Sequence, residues 1–243
     1  MSITTKMLYS ETYNFIKQQI NSIIIIIFIS SCITSIIDNI FSPNIYEIYN
    51  LHYNHIDNIF TIFNLTTIEQ KIIIFKLLCF KIISNLLNYT LLFSILISYI
   101  TIISKYHSLD IKSICKKVIS IFPYLLILTL LISIIIQLGF MLFILPGIIG
   151  TILLSLSPII LVIEKKTILH SIYDSINYTK NNISSLLPAV ILWMSNKFIT
   201  YIFIKLLYIL PIMYITGLHI FINNFIISIV IIYLYRFYII TKQ

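Results

Sequence analysis

The chain has 243 residues, 59% of them hydrophobic and only 10% charged, with a mean hydropathy of +1.03. Soluble domains carry about 25% charged residues, so this composition excludes a water-soluble globular protein. The formal net charge of +8 lies in short segments between apolar runs, which argues against nucleic acid as a partner.

Long, nearly unbroken apolar runs such as 125–136 indicate α-helices. Inside a bilayer only helices and closed barrels satisfy the backbone, and barrel strands alternate in polarity over roughly ten residues. We therefore predict an all-α, polytopic helical membrane protein in which residues 1–243 form a single integral membrane domain. A span needs about 20 mainly apolar residues. Six are predicted, at 22–37, 82–104, 121–145, 147–163, 186–206 and 219–240.

A short amphipathic elbow helix is predicted before the first span. Its apolar stripe should lie in the headgroup plane of the membrane. The stripe consists of Tyr9, Tyr13, Ile16 and Ile20.

The first span contains Ile29-Ser30-Ser31-Cys32, which resembles a lipoprotein cleavage site. The polar region before it is long and carries Glu11, whereas the start of a signal peptide is short and basic. Ser31 and Cys32 are therefore interpreted as small packing residues within a span.

Residues 38–81 form the one sizeable loop, which is predicted to lie on the exterior side of the membrane. His52 and His55 have a spacing that can bind a metal on a helix, but the full metalloprotease motif is missing and a solvated loop is favoured. Thr66 and Glu69 have capping-box spacing, so a helix should begin there and lead into the second span.

Residues 118–163 contain no charged side chain and are too long for one crossing. Pro146 and Gly147 divide the stretch, because proline suits the first turn of a helix and glycine relaxes a bend. We predict a tight helical hairpin with its turn at these two residues; the alternative is one long helix kinked at Pro146. Gln137 is a polar residue inside the third span and should bond across helices.

Small residues at Gly147, Thr151 and Ser155 recur every four positions in the fourth span. Such a seam lets two helices approach closely, and we interpret it as packing. After this span, residues 167–180 show the pattern of a second elbow, with Ile168, Ile172 and Ile176 on one face. A shorter, more basic elbow is predicted at 108–118.

The fifth span contains Lys197 near its middle. A charge inside a membrane is a functional-site hypothesis by default, so Lys197 and Gln137 are the candidate intramembrane polar site. The acidic residues lie outside the spans or at their ends, so Lys197 has no carboxylate partner there, and a role in capping carbonyls or contacting water is favoured. In the sixth span, Tyr233, Tyr235, Phe237 and Tyr238 around Arg236 are interpreted as an interfacial aromatic belt.

An internal repeat relates the last two hairpins. Pro188 follows Pro123 by 65 residues, and Pro211 follows Pro146 by the same interval. With a similar elbow at the start of the chain, the repeat predicts three elbow-plus-hairpin units, at 1–104, 105–163 and 164–243.

The orientation is predicted from the basic residues, which are enriched in cytoplasmic loops. Eleven lie on the side of the two termini and four on the other side, so both termini should be cytoplasmic. The eleven are Lys6, Lys17, Lys105, Lys112, Lys116, Lys117, Lys165, Lys166, Lys180, Arg236 and Lys242.

Several segments together resemble the YciC family of enterobacterial inner-membrane proteins. They are Met1-Ser2-Ile3-Thr4, Phe41-Ser42-Pro43, Gln137-Leu138-Gly139-Phe140-Met141, Leu145-Pro146-Gly147-Ile148-Ile149 and Tyr233-Leu234-Tyr235-Arg236-Phe237-Tyr238. The resemblance implies a multi-pass location in the bacterial inner membrane and brings no catalytic residue. The hairpin with its elbow is more distantly similar to the membrane domain of some glycerophosphodiester phosphodiesterases, whose catalytic domain is absent here.

No motif for catalysis, a cofactor or a structural metal appears, so no enzyme activity is predicted. We expect a non-enzymatic membrane component that organises lipid or a partner protein. The alternative is a transporter or small channel for a lipid or small solute, because repeated hairpins often frame a path. The partners that these hypotheses allow are the lipid bilayer and a membrane protein or a second copy of the chain.

Overall fold

The structure is a computed structural model that describes residues 5–41, 68–106, 111–206 and 212–242. Eight helices lie in these ranges: α1 (Thr5–Phe41), α2 (Ile68–Tyr106), α3 (Ile111–Leu142), α4 (Ile144–Leu154), α5 (Ser157–Glu164), α6 (Ile168–Lys180), α7 (Ile183–Leu206) and α8 (Ile212–Lys242).

Six stretches of the described chain are long and apolar enough to cross a membrane, which confirms the predicted polytopic helical protein. The fourth is assembled from α4 and α5. They are Thr5–Asp38, Cys79–Ser104, Ile111–Leu142, Ile144–Glu164, Ile183–Thr200 and Thr216–Lys242.

Helix α1 contains both the first elbow and the first span. The backbone of Gln19 departs from helical geometry, with φ −116° and ψ 18°, at the point where the two parts meet. The hydroxyl of Tyr99, on α2, donates a hydrogen bond of 2.9 Å to Oε1 of Gln19. Leu8 and Thr12 are buried on the bundle side of the elbow, while Tyr9 on the predicted apolar stripe is 54% exposed.

The middle elbow differs from the prediction. Helix α3 is continuous from Ile111 to Leu142 and passes through Pro123, so the basic segment is the first three turns of a spanning helix. No glycine or proline interrupts residues 111–122, and nothing in the local sequence therefore ends the helix before the span.

Helices α3 and α4 form a hairpin. The chain reverses at Phe143, whose backbone is extended, three residues before the predicted turn. Pro146 and Gly147 lie instead in the first turn of α4, where a missing N–H costs nothing. The backbones meet at Gly139 and Gly147, since a Cβ built on Gly139 would lie 3.1 Å from Cα of Gly147.

Helix α8 is the central helix of the bundle and packs most extensively against α1 and α7, with further contacts to α2 and α5. Because neighbours surround it, Tyr233, Tyr235, Phe237 and Tyr238 are all at most 5% exposed. The interpretation of these rings as an interfacial aromatic belt is therefore wrong: they form part of the core.

The fourth span is interrupted between α4 and α5, where residues 155–156 form a turn ahead of Pro158. Next to this interruption, the carbonyl oxygen of Leu153 accepts hydrogen bonds from side chains of α6. Ser175 Oγ donates to this oxygen at 2.6 Å, and Thr179 Oγ1 lies 3.3 Å from it. The elbow α6 thus docks through a stripe of small hydroxyl residues, completed by the buried Ser171.

Candidate functional site

A hydrogen-bonded network of uncharged side chains joins α1, α2 and α8 inside the bundle. Asn88 Nδ2 donates to Asn224 Oδ1 at 2.9 Å, and Thr34 Oγ1 donates to Asn88 Oδ1 at 2.7 Å. Asn224 Nδ2 lies 3.0 Å from the hydroxyl of Ser31. All four residues are at least nine-tenths buried. Polar groups in hydrocarbon need such partners, so the network specifies how these three helices face one another.

Sequence reasoning missed this network. Asn88 and Asn224 are 136 residues apart, and asparagine is common throughout the chain. The available signal was an uncharged polar residue inside an apolar span. The network also places Ser31 inside the bundle, as the packing interpretation requires, whereas Cys32 lies on the exposed side of α1 and does not pack inside the bundle.

A cavity of about 560 Å³ lies beside the network, between α2, α3, α4, α7 and α8. Small-molecule sites commonly have volumes of roughly 300–1,000 Å³. Apolar residues such as Ile132 and Val190 form most of its wall, and Asn88 belongs to both the wall and the network. Among the described residues, no charged side chain lines the cavity.

Two asparagines, Asn196 of α7 and Asn223 of α8, also belong to the polar part of the cavity lining. Asn196 is only 2% exposed, and its Nδ2 donates to Asn223 Oδ1 at 2.7 Å. Its own Oδ1 is buried and accepts no hydrogen bond from the part of the chain that the structure describes. An unpaired buried carbonyl oxygen costs free energy.

The mouth of the cavity lies at the level of the spans. Ile82, Asn85, Gln137 and Trp193 line the cavity and are exposed at the surface of the bundle. In a bilayer this opening faces lipid. Gln137, predicted as part of an intramembrane polar site, therefore lies at the entrance, and among the described residues it makes no hydrogen bond to another helix.

Lys197 was the other residue of the predicted polar site. Its backbone is in α7, next to the cavity residue Asn196, but its side chain lies outside what the structure describes. Its role stays a prediction. The same holds for the histidine pair at 52 and 55 and for the cap at Thr66, because residues 42–67 are outside the described ranges.

The predicted small-residue seam of α4 serves two purposes. Gly147 is buried against α3, as expected for close packing. Thr151 and Ser155, one and two turns further on, line the cavity. Small side chains at these positions leave room that larger residues would fill.

A cluster of charged residues ties α5, α6 and α8 together at the end of the bundle that carries Glu11 and Lys242, here called the terminal end. Glu164 lies 2.5 Å from Lys166 and 2.6 Å from Lys242, and it also accepts the hydroxyl of Tyr238. Lys166 also pairs with Asp174 at 2.7 Å. Asp174 and then Glu164 raise the pKa of Lys166, which stays charged at neutral pH.

A second ion pair at the terminal end joins the first and last helices. Arg236 lies 3.8 Å from Glu11 and stacks over the ring of Phe15, 4.5 Å from its centroid. Within the described part of the chain, no group of three histidine, cysteine or acidic residues is arranged to hold a metal ion.

Proteins of similar sequence are themselves described only as membrane proteins. A UPF0259 membrane protein of Wigglesworthia glossinidia brevipalpis is 37% identical over all of this chain and 97% of its own length. Relatives with the same description occur in Buchnera aphidicola subsp. Baizongia pistaciae, at 36% identity over all of this chain and 98% of the relative, and in Pectobacterium carotovorum, at 30% over the whole of both.

No solved structure matches the chain. The similarity to the membrane domain of glycerophosphodiester phosphodiesterases stays a prediction. The family model of UPF0259, an uncharacterised protein family, matches residues 1–240, and the chain belongs to this family of membrane proteins.

Proposed function

We propose that the protein is a non-enzymatic component of the bacterial inner membrane that binds a membrane lipid in the cavity between α2, α3, α4, α7 and α8. The observation that carries the proposal is the cavity itself. It opens at the level of the spans, its wall is mainly apolar, and no charged side chain lines it in the described part of the chain. A site of this kind suits an uncharged, amphipathic occupant from the bilayer.

The inner-membrane location is supported by the helical spans, because spanning proteins of the bacterial outer membrane are β-barrels. The cytoplasmic placement of both termini is supported by the distribution of basic residues. Contacts of Glu11 with Arg236 and of Glu164 with Lys242 bring the described ends of the chain to the same end of the bundle.

Lipid retention on purification tests the proposal. The protein in mild detergent should carry one lipid molecule, detectable by native mass spectrometry. Ser133→Phe places a ring in the cavity and should abolish this retention. Ile134→Phe is the matched control, since Ile134 is the next residue of α3, is 46% exposed and does not line the cavity. Equal lipid retention by both variants would reject the proposal.

The same preparation addresses the partner. Affinity capture from nanodiscs detects co-purifying membrane proteins, self-association and bound lipid in one experiment. A stoichiometric protein partner without any retained lipid would favour a role in protein organisation over lipid binding.

Transport is the second candidate function, because the cavity lies between the two repeated hairpins. Flux of a lipid analogue or small solute through reconstituted liposomes would support it. Lys197→Leu should slow that flux if the lysine contributes to the path. An unchanged flux in this variant would remove Lys197 from the mechanism.

A further inference from the structure

The two ends of the cavity differ, and the difference specifies how a lipid would enter; this step rests on the proposed function above. We propose that the cavity takes one acyl chain of a glycerolipid from the leaflet opposite the terminal end, with the ester group of that chain at Asn85 and Gln137. Under the orientation proposed above, this is the exterior leaflet.

The part of the cavity nearest the terminal end is closed and apolar. The first turn of α7 lies at this end, because the hydroxyl of Tyr233 on α8 donates to the carbonyl oxygen of Ser185 at 2.6 Å. Ala189 follows one turn later on α7, and Leu234 follows Tyr233 on α8. Both residues line the cavity, and each is only 4% exposed. A lipid of the leaflet on this side therefore meets packed apolar side chains.

The opposite part of the cavity is open and carries amide groups. Lys81 pairs with Asp38 at the end of α1 remote from Glu11, so the second span begins opposite the terminal end. Asn85 and Gln137 are six and five residues from the ends of their spans on that side. At 1.5 Å per residue, both lie about 8–9 Å below the end of the span. Both line the cavity and are exposed, so the entrance lies in this half of the bilayer.

The order of polarity along the cavity matches a lipid of one leaflet. A glycerolipid has its ester groups near the membrane surface and its chain ends near the bilayer centre. A chain entering from the leaflet opposite the terminal end would place its ester at the amides and its methyl end towards Ala189 and Leu234. A lipid of the other leaflet would place its polar groups against the closed apolar part, where they would lose their hydrogen bonds.

The dimensions suit one acyl chain. Asn223 and Leu234 line the cavity eleven residues apart on α8, which is about 16 Å along the helix axis. The volume of about 560 Å³ is that of a site for a drug-sized ligand, which is smaller than a whole two-chain lipid. The head group and the second chain would stay outside the mouth, so the part of the lipid that enters is uncharged.

The ester group is assigned from the available donors. Among the described residues, no hydrogen bond uses the side-chain amide of Asn85 or Gln137. The hydroxyls of Ser133 and Ser155 also line the cavity, but they already donate to carbonyl oxygens of their own helices. An ester carbonyl accepts hydrogen bonds and donates none, so the two amides are its natural partners.

Trp193 can report which leaflet supplies the lipid, because it is the only tryptophan of the chain and lines the cavity. Bromine atoms on a lipid chain quench tryptophan fluorescence on contact. Vesicles that each hold one protein molecule can be sorted by an affinity tag after Gln243, which marks the side of the terminal end. Brominated phosphatidylcholine is then exchanged into the outer leaflet of each sorted population.

Quenching of Trp193 should be strong with bromines in the leaflet opposite the terminal end and should be largely lost with bromines in the other leaflet. Ser133→Phe fills the cavity and should reduce this difference between the leaflets. Ile134→Phe is the matched control and should keep it, since Ile134 is exposed and does not line the cavity.

A second measurement tests the ester group. In nanodiscs of diether phosphatidylcholine, which lacks ester carbonyls, brominated diester phosphatidylcholine should occupy the site about two- to tenfold more often than its mole fraction predicts. Gln137→Leu should lower this preference, because it removes a donor while keeping a side chain of similar length. Leu138→Ala should keep the preference, since Leu138 is exposed but does not line the cavity.

The outcomes separate the two proposals. Quenching that is equal from both leaflets, or stronger from the leaflet of the terminal end, would overturn the assigned leaflet; if Ser133→Phe still reduced that quenching, lipid binding in the cavity would stand. Equal occupancy by diester and diether lipid would overturn the role of Asn85 and Gln137. Quenching that Ser133→Phe leaves unchanged in both leaflets would reject both proposals.

Discussion

Asn88 and Asn224 form a hydrogen bond of 2.9 Å between α2 and α8, and Asn224 is completely buried. The pair is the centre of the network that also reaches Ser31 and Thr34 on α1. Three helices that are distant in sequence are thereby held in one rotational setting. Apolar packing alone would specify that setting less sharply, since lipid chains compete for the same apolar surfaces.

The first prediction concerns this network. Asn224→Ala should destabilise the folded protein by about 1–2 kcal/mol, because Nδ2 of Asn88 loses its acceptor and the hydroxyl of Ser31 loses a donor in an apolar medium. Reversible unfolding in mixed detergent micelles measures the loss. Asn177→Ala, at an exposed position of α6, should change stability by less than about 0.5 kcal/mol. A double-mutant cycle with Asn88→Ala that shows no coupling would contradict the network.

The second prediction concerns the hairpin glycines. Gly147→Ala should destabilise the protein by about 1–3 kcal/mol, because its Cβ would overlap the ring of Phe140 and force the hairpin to adjust. Gly150→Ala is the matched control on the same helix, where a Cβ would meet no atom within 4 Å. Thermal unfolding in detergent compares the two variants, and equal losses would argue against close packing at Gly147.

The third prediction concerns the charge cluster at the terminal end. Glu164→Gln should lower the free energy of unfolding by about 1–2 kcal/mol, because it removes the negative charge that pairs with Lys166 and Lys242. The loss is not larger because both lysines are partly exposed to water, which weakens the ion pairs. Glu11→Gln should lower the free energy of unfolding by less than about 0.5 kcal/mol, since the contact between Glu11 and Arg236 is long and exposed. Unfolding in detergent measures both, and a larger loss for Glu11→Gln would be incompatible with this assignment.

The fourth prediction concerns the docking of the elbow α6. Ser175→Ala removes the hydroxyl that donates to the carbonyl of Leu153 and should destabilise the contact by about 1 kcal/mol. Amide hydrogen exchange in residues 168–180 should then become faster, while exchange in α8 stays unchanged. Asn177→Ala, on the exposed side of the same helix, should leave exchange as it is. Unchanged protection in Ser175→Ala would show that the isoleucines alone hold the elbow.

The fifth prediction concerns orientation. A fluorescent protein fused after Gln243 should be fluorescent, and alkaline phosphatase fused at the same place should be inactive, because both termini are predicted to be cytoplasmic. Phosphatase inserted into the loop at 38–81 should be active. The opposite pattern at either position would invert the proposed topology.

The sequence by itself determined the class of the protein and the number of spans. Composition and the length of apolar runs are one-dimensional properties, and the cost of an unsatisfied backbone in hydrocarbon turns them directly into helices. The same reasoning identified the hairpin in residues 118–163, although Phe143 rather than Pro146 is its turn. A proline is tolerated within the first turn of a helix, where the N–H groups have no intrahelical partner, so the turn of the hairpin can lie a few residues before it.

Only the tertiary structure decided which way each helix faces. Isoleucine covers most sides of these helices, so no apolar stripe marks the buried face, and Tyr233 and Tyr238 were wrongly assigned to the lipid interface. Asn88, Asn196 and Asn224 gain their importance from partners that other helices supply. A cavity exists only where several helices fail to meet, and that property depends on packing rather than on any local pattern.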